Sequence, residues 1–490
     1  MFTLKLENFR SFLNEEFAFS RINILIGENS SGKSSILKFL LALKQSLQVP
    51  VNRELNINLR GEFTDLGSYK DTIYYNDEDK PLVFSFSLSE EYYQFFLKQF
   101  TDDYYEDDEF ESDDVESDIV EKVLKKTESL IDGPIQGNTI LEYSLTKELD
   151  KHNTIRTSIK NDTFGELQIV HIEDDSSNDK QLIFGPQCLL LYTDYNTNTV
   201  LSLTDVEYEK QGFMTIIVGG SLRRSIAEYL KEAGLKPKQL KPMLEKYYHR
   251  IAFLLMTQNY VRSAINKMEY FNPLLTKPSR IYLARDRRRQ IIINDIEDVV
   301  DYLSSNTPES NAVLEDLNNI LSQFGITEGL EIIQDNRMLV KELRVKIKDL
   351  VSNIFDVGYG VALQIPLILK ALLAERTRAR KNSVLLIEQP EVHLHPRLHA
   401  LLIEVFLSLG NSTTYFIETH SEHIIRKLQV LVKNKTFGLV PSDVSIHYLT
   451  RKLECSSVTK HDILPNGLLK PNFPTGFFDA SYNLSKELLD

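Results

Sequence analysis

The chain opens with alternation. In "FTLKLENF", residues 2 to 9, apolar and polar positions take turns, the pattern of a half-buried strand. "INILIG", residues 22 to 27, is an apolar run short enough for a buried strand. In "SSILKFLLALKQSL" the period changes, and Ile36, Leu37, Leu40, Leu41 and Leu47 fall largely on one side of a helix. From about residue 80 the strand period returns. "PLVFSFSL", "TILEYSLTKEL", "TIRTSIK" and "ELQIVHI" are short runs rich in β-formers with polar turns between them, predicting a mostly antiparallel region. Residues 223–270 read as helical, with "KPKQLKP" as the break. Beyond about 345 the pattern is α/β: a glycine-containing turn, a helix through "IPLILKALLAERTRAR", the strand "SVLLIE", the helix "PRLHALLIEVFLSL" and the strand "TTYFIETH". No repeat of 20 to 50 residues and no sustained heptad pattern occurs.

Composition narrows the class. The 490 residues suffice for two or three domains with real cores. No apolar run approaches the roughly 18 residues of a membrane span, so no membrane partner is expected. "MFTLKLENFRSF" does not read as a secretory signal. Two cysteines, Cys188 and Cys455, cannot build a disulfide framework, and a reducing cytoplasmic location is expected. The net charge of −14 is concentrated in one place: residues 102–121 hold twelve acids and no Lys or Arg, and the rest of the chain is close to neutral. Such a block self-repels and predicts a solvated loop, with a contact for a basic partner as the alternative.

"GENSSGKSS", Gly27 to Ser35, fits the phosphate-loop pattern G-x-x-x-x-G-K-[ST] and sits between a buried strand and an amphipathic helix. Gly27 and Gly32 permit unusual torsions. Successive N–H groups, including those around Asn29, Gly32 and Ser35, then form an anion nest at a helix N-terminus. Lys33 is expected to reach the β- and γ-phosphates of ATP, and Ser34 to ligand Mg2+.

With the loop in place, a resemblance emerges. "LKLENFRSF" followed by "INILIGENSSGKSSIL", and the later "LLIEQPEVHLHP" plus "FIETHSEHII", resemble the RecF, SMC and OLD branch of ABC-type ATPases. "FTDLGSYKD", "FDVGYGVALQIP", the "EQPE" form and "NGLLKPNFPTGFFD" resemble more narrowly the prokaryotic OLD-like AAA-type ATPases of anti-phage defence systems. The resemblance covers residues 1–90 and 275–490 well and 90–275 poorly. It implies an α/β fold: an ABC-type P-loop ATPase head with a large mixed β/helical insertion. The corresponding division is 1–75 for the first part of the head, 76–275 for the insertion, 276–450 for the second part and 451–490 for a C-terminal extension.

The same resemblance implies roles. Two heads close on ATP, so self-association is expected. "DVGYGVAL", Asp356 to Leu363, corresponds to the signature loop, with Gly358 and Gly360 letting backbone N–H groups approach the γ-phosphate of the opposite head. Ala362 and Leu363 stand where Ser-Gln is expected, a departure from the pattern. Glu388 takes the place of the magnesium-side acid, and His420 that of the switch histidine. His393 and His395 lie in the loop that contacts the opposite head; as an H-x-H pair they are also a weak metal pattern. Asn8, Phe9 and Arg10 occupy a turn that touches nucleotide in this branch, with Arg10 placed for phosphate and Phe9 for packing. Arg280, Arg285, Arg287, Arg288, Arg289, Arg376, Arg378, Arg380 and Lys381 form basic clusters suited to nucleic acid, to acidic surfaces or simply to solvent.

Gln389 departs most from the pattern, because it stands where these ATPases place the glutamate that activates water. A glutamine cannot take that proton, and loss of a general base costs about 10² to 10⁴ in rate. Either Glu391 supplies the carboxylate, or Gln389 orients the water as glutamine does in GTPases. The expectation is slow hydrolysis by an ATP-held assembly. Relatives that cut nucleic acid carry a Toprim domain, and no Toprim-like acidic set follows His420. The expected role is therefore sensor or scaffold for a separately encoded effector, a nuclease or toxin, triggered by a phage protein or DNA. A RecF-like DNA-repair or DNA-loading ATPase is the alternative.

Overall fold

In the computed structural model the described residues are 2–48, 57–89, 138–147, 153–172, 188–194, 199–203, 206, 208–211, 214–217, 219–272, 278–283, 293–335, 340–376, 383–452 and 454–474. The acidic segment 102–121 and Arg285, Arg287, Arg288, Arg289, Arg378, Arg380 and Lys381 lie outside them. The chain forms two compact units: Met1–Phe19, Lys38–Asn266 and Arg451–Val458 in the first, Ser20–Leu37, Lys267–Thr450 and Thr459–Asp490 in the second.

The first unit is built on an eight-stranded antiparallel sheet. Its spatial order is Phe12–Ala18, Phe2–Phe9, Leu82–Leu88, Thr139–Lys147, Asn153–Asn161, Gly165–Ile172, Cys188–Asp194, Thr199–Leu203. These strands lie where the alternating runs predicted them. The period of two explains the core: Leu141, Tyr143 and Leu145, then Ile155 and Ile159, then Leu167 and Ile169 are buried on one face. The helix Pro237–Asn266 covers that face, with Phe253 stacked on Phe164 at 4.2 Å and Tyr247 edge-on to Tyr192 at 6.0 Å. "KPKQLKP" is not the break expected of it. Pro237 opens the long helix, where its missing N–H costs nothing, and Pro242 lies inside, near the start. The interruption falls at 233–236, after the helix Gly219–Glu232.

The second unit holds a seven-stranded sheet ordered Met268–Phe271, Val384–Glu388, Thr414–Glu418, Ile22–Gly27, Val444–Arg451, Ser456–Ile463, Leu469–Lys470. The first five strands are parallel neighbours. Ile24, Ile26, Leu385, Ile387, Ile417 and Ile446 are buried in its core, the near-continuous apolar reading of strands covered on both faces. The helix Tyr359–Arg376 is buried along most of its length because it is apolar on nearly every side. Its one buried cation, Lys370, donates to Tyr270 O (2.8 Å), Ile293 O (2.9 Å) and Asn294 Oδ1 (3.1 Å). Around this helix a second core gathers the helices Ile296–Leu303 and Pro308–Gln323 and a small antiparallel sheet centred on Val340–Ile347.

Candidate functional site

The phosphate-loop segment leaves the strand Ile22–Gly27 and enters the helix Lys33–Gln48. Gly27 has φ +149°, and a Cβ there would meet Leu449 O at 2.0 Å, so only glycine fits. Gly32, at φ +100°, is a second position that a side chain would strain. Lys33 is 5% exposed and donates to Gly27 O (3.1 Å) and Glu28 O (2.6 Å), so the loop wraps its own ammonium. Burial lowers the Lys33 pKa, and the charges of Glu418 and Glu28 oppose that shift. Ser34 Oγ donates to Glu418 Oε1 at 2.7 Å. Asn29 is exposed near the loop tip, and Ser35 N donates to Gly32 O (3.0 Å) as the helix begins.

The parallel register sets Glu388 beside Glu418 at the C-terminal strand ends, where ligands of open α/β sheets bind. Asn272 Nδ2 donates to Glu388 Oε2 at 3.4 Å, and the Tyr270 hydroxyl also hydrogen-bonds Glu388. Burial first, and the Glu388 charge second, raise Tyr270 well above the usual phenol range, so it stays protonated. Gln389 adopts φ +40° and donates its N–H to Glu418 O at 2.8 Å. Glu391 is 8% exposed; its Oε1 accepts the His420 backbone N–H at 2.7 Å. Desolvation and the Lys33 charge lower the His420 imidazole below its ordinary value, and Glu391 opposes them.

Gly358 lies just before the helix Tyr359–Arg376, and Gly360 lies in its first turn. A Cβ at Gly360 would meet His393 O at 2.8 Å, whereas one at Gly358 would meet nothing within 4 Å. The Tyr359 and His393 rings touch edge to face at 5.2 Å. His395 caps the helix Pro396–Leu409 through Nδ1, which accepts from Arg397 N at 3.3 Å. Arg280, offered by the sequence for phosphate, is held by both oxygens of Asp356 (2.8 and 2.6 Å) and lies over the Phe355 ring. Arg376 pairs with Asp316. Arg10 belongs to the other compact unit, where its guanidinium donates to Leu66 O at 3.2 Å. Phe9 is fully buried there against Phe39, the packing role expected of it.

The family described as "AAA ATPase domain" matches residues 1–425. The chain belongs to this family. Residues 439–488 of this AAA ATPase domain protein also match a family described as "Protein of unknown function (DUF3696)". Similar solved structures include an SMC head bound to the C-terminal winged-helix domain of ScpA, with 9% identity, TM-score 0.39, and coverage of 94% of this chain and 98% of that one. The SMC head domain from Thermotoga maritima shows 11% identity and TM-score 0.33 over 93% and 97% of the two chains. An SMC head derived from Pyrococcus furiosus, with an extended coiled coil and bound to the C-terminal domain of ScpA, shows 10% identity and TM-score 0.37 over the full length of both. No curated protein matches.

The AAA ATPase loop fits an anionic nucleotide. Ser31 Oγ and Glu391 Oε2 are buried with no hydrogen-bond partner within the protein, polar atoms that a hydrated ligand would satisfy. Among the described residues no group of three His, Cys, Asp or Glu is arranged to hold a metal, so the H-x-H pattern gains no support. A Mg2+ carried on ATP needs only one or two protein ligands, because phosphates and water complete its shell. Among the described residues no helix is long and apolar enough to cross a membrane.

Sequence reasoning missed four participants. Glu418 was read only as part of a strand, although an acid at the end of an apolar run beside the loop strand was a usable signal. Tyr270 and Asn272 gave none, because their strand is four residues long. His399 accepts from Ser421 Oγ (2.9 Å) through Nδ1 and donates to Leu394 O (3.2 Å) through Nε2, the tautomer that satisfies both. It ties the turn after Glu391 to the turn after His420.

Proposed function

We propose that the chain is a slowly hydrolysing ABC-type ATPase in which ATP–Mg2+ holds two copies together. It serves as sensor and scaffold of a bacterial anti-phage system, controlling a separately encoded nuclease or toxin. Residues 1–75 and 276–450 form the head in this reading, 76–275 the insertion and 451–490 an extension. The observation that carries it is Gln389: a neutral side chain stands at the end of the strand Val384–Glu388, beside a phosphate loop whose Lys33 and Ser34 are otherwise complete.

Lys33 exchanges its two loop carbonyls for the β,γ-phosphates, and the helix N-terminus at Lys33 faces the same charge. Asn29, Gly32 and Ser35 line the nest. Ser34 and Glu388 are the residues that would hold the metal. A Mg2+ carried on ATP would supply charge neutralisation at the transferring phosphate. Gln389 orients the attacking water without removing its proton. Glu391 fixes the backbone at His420, and His420 reads the γ-phosphate as a neutral imidazole. Gly358 and Gly360 of the second copy close the site. An ATP state that outlives one catalytic cycle suits a trigger-dependent switch better than a motor.

The test is purification from native cells with ATP–Mg2+ and again with ADP. An effector protein retained with ATP and released with ADP is expected. Rapid turnover stimulated by DNA, with no protein retained, would favour a DNA-repair ATPase instead.

A further inference from the structure

We propose that Lys370 is a positioning residue for Glu388: it fixes the edge strand Met268–Phe271 to the helix Tyr359–Arg376, and the polar groups of that strand and its end aim the Glu388 carboxylate. This rests on the ATP reading above, in which Glu388 would hold the metal. Lys370 is 3% exposed, in a helix whose other buried positions are apolar apart from Gln364. An ammonium is costly to bury, and a packed apolar side chain often serves stability as well or better. Its bonds give it a different purpose. It donates to Tyr270 O at 2.8 Å, Ile293 O at 2.9 Å and Asn294 Oδ1 at 3.1 Å, three acceptors for three N–H donors. Glu269 Oε2, 3.7 Å away, balances the charge.

Tyr270 joins the two ends of this path. Its carbonyl accepts from Lys370, and its hydroxyl hydrogen-bonds Glu388. Asn272, just past the same strand, donates through Nδ2 to the Tyr270 hydroxyl (3.2 Å) and to Glu388 Oε2 (3.4 Å). The strand needs outside support. It is four residues long and lies at the end of its sheet, paired with Val384–Glu388. A short edge element of this kind opens easily, and Lys370 ties down its backbone from the helix side. The place of Lys370 in the helix matters as well. Pro366 lies about one turn earlier; it has no N–H for Ala362 O, so the helix is weakened there. Lys370 anchors the helix beyond that weak point, which keeps Tyr270 and Asn272 in one place relative to Glu388.

The experiment measures metal binding rather than turnover. Mn2+ is titrated into the full chain with saturating ADP and followed by electron paramagnetic resonance, while a fluorescent ADP reports nucleotide binding without metal. Lys370→Met, similar in length but neutral, should weaken Mn2+ about tenfold, the scale seen when groups that orient a metal ligand are removed, and leave metal-free ADP binding in place. Tyr270→Phe should weaken Mn2+ as well. The double variant should lose no more than about twofold beyond Lys370→Met, because residues acting through one network do not add. Mn2+ affinity within about threefold of wild type in Lys370→Met, an equal weakening of metal-free ADP, or losses that multiply in the double variant would each overturn the assignment. Should Lys370→Met fail to fold, Lys370→Gln, whose amide can still donate to the carbonyls, carries the same comparison. Wild-type protein that binds no nucleotide would overturn the ATP reading itself, a result distinct from these.

Discussion

The carboxylate of Glu391 holds the backbone of His420: Oε1 accepts its N–H at 2.7 Å from a site that is 92% buried. Two residues that sequence places in catalysis are thus one mechanical unit. Glutamine can accept the same bond, and alanine cannot. Glu391→Gln should keep wild-type turnover to within a few-fold, whereas Glu391→Ala should lower both turnover and stability, the latter by about 1.5 to 3 kcal/mol. Single-turnover hydrolysis and thermal melting of both variants separate the roles. A hundredfold loss in Glu391→Gln would make Glu391 the base.

Gly358 and Gly360 differ as probes of self-association. A side chain at Gly360 strikes His393 O inside its own protomer, so a defect there would be ambiguous. Gly358 opens on free space. Gly358→Arg should melt within about 2 °C of wild type, since surface changes of this kind stay near ±0.5 kcal/mol. It should also abolish the ATP-driven rise in mass seen by light scattering. A rise equal to wild type would remove Gly358 from the contact.

Lys33→Ala leaves the backbone nest but deletes the buried ammonium that the loop wraps. ATP–Mg2+ binding by calorimetry should fall below detection, and the variant should still fold, because the carbonyls of Gly27 and Glu28 can turn to water once the side chain is gone. Wild-type affinity in Lys33→Ala would end the phosphate-loop assignment.

His461 gives a pH prediction away from the loop. It is fully buried, stacked on Phe473 at 4.2 Å, with Nδ1 donating to Pro471 O at 2.8 Å. Burial lowers its pKa, against the raising effects of that bond and Asp462. The unfolded chain therefore takes the proton first. Stability should be complete above the unfolded value of about 6.5 and fall as pH drops through the lower folded value. His461→Phe should melt lower at pH 7, lacking the bond, and show a flatter decline between pH 7 and pH 5. An unchanged acid decline would assign it to other groups.

The sequence was informative where one local signal sufficed. The phosphate loop declares itself by spacing, and the antiparallel strands by alternation at Leu141, Tyr143 and Leu145. Glu418 was hidden because its importance depends on strand order. In sequence it is nearly 400 residues from Ser34, and only the crossing of Thr414–Glu418 to the loop strand brings them together. Lys370 and His399 were hidden for a related reason: each satisfies carbonyls or hydroxyls contributed by other segments, and no periodicity encodes such partners. "KPKQLKP" misled because proline stops a helix in the interior but is tolerated at its start.

In the proposed reading, Gln389 is the residue that sets the rate. Its φ of +40° and its N–H bond to Glu418 O fix the backbone, so Gln389→Glu changes charge with little change of shape. Two effects then compete. A carboxylate beside the water can accept its proton, worth about 10² to 10⁴ in rate. A new negative charge near Glu388, Glu391 and Glu418 opposes the anionic γ-phosphate, and the burial of Glu391 and Glu418 leaves that repulsion little screened by salt. The first effect should win. Single-turnover hydrolysis should rise at least tenfold, and the ATP-held assembly should shorten its lifetime in proportion, since the same bond holds both. Faster hydrolysis with an unchanged assembly lifetime would separate the glue from the chemistry; no acceleration at all would mean that position 389 does not face the attacking water.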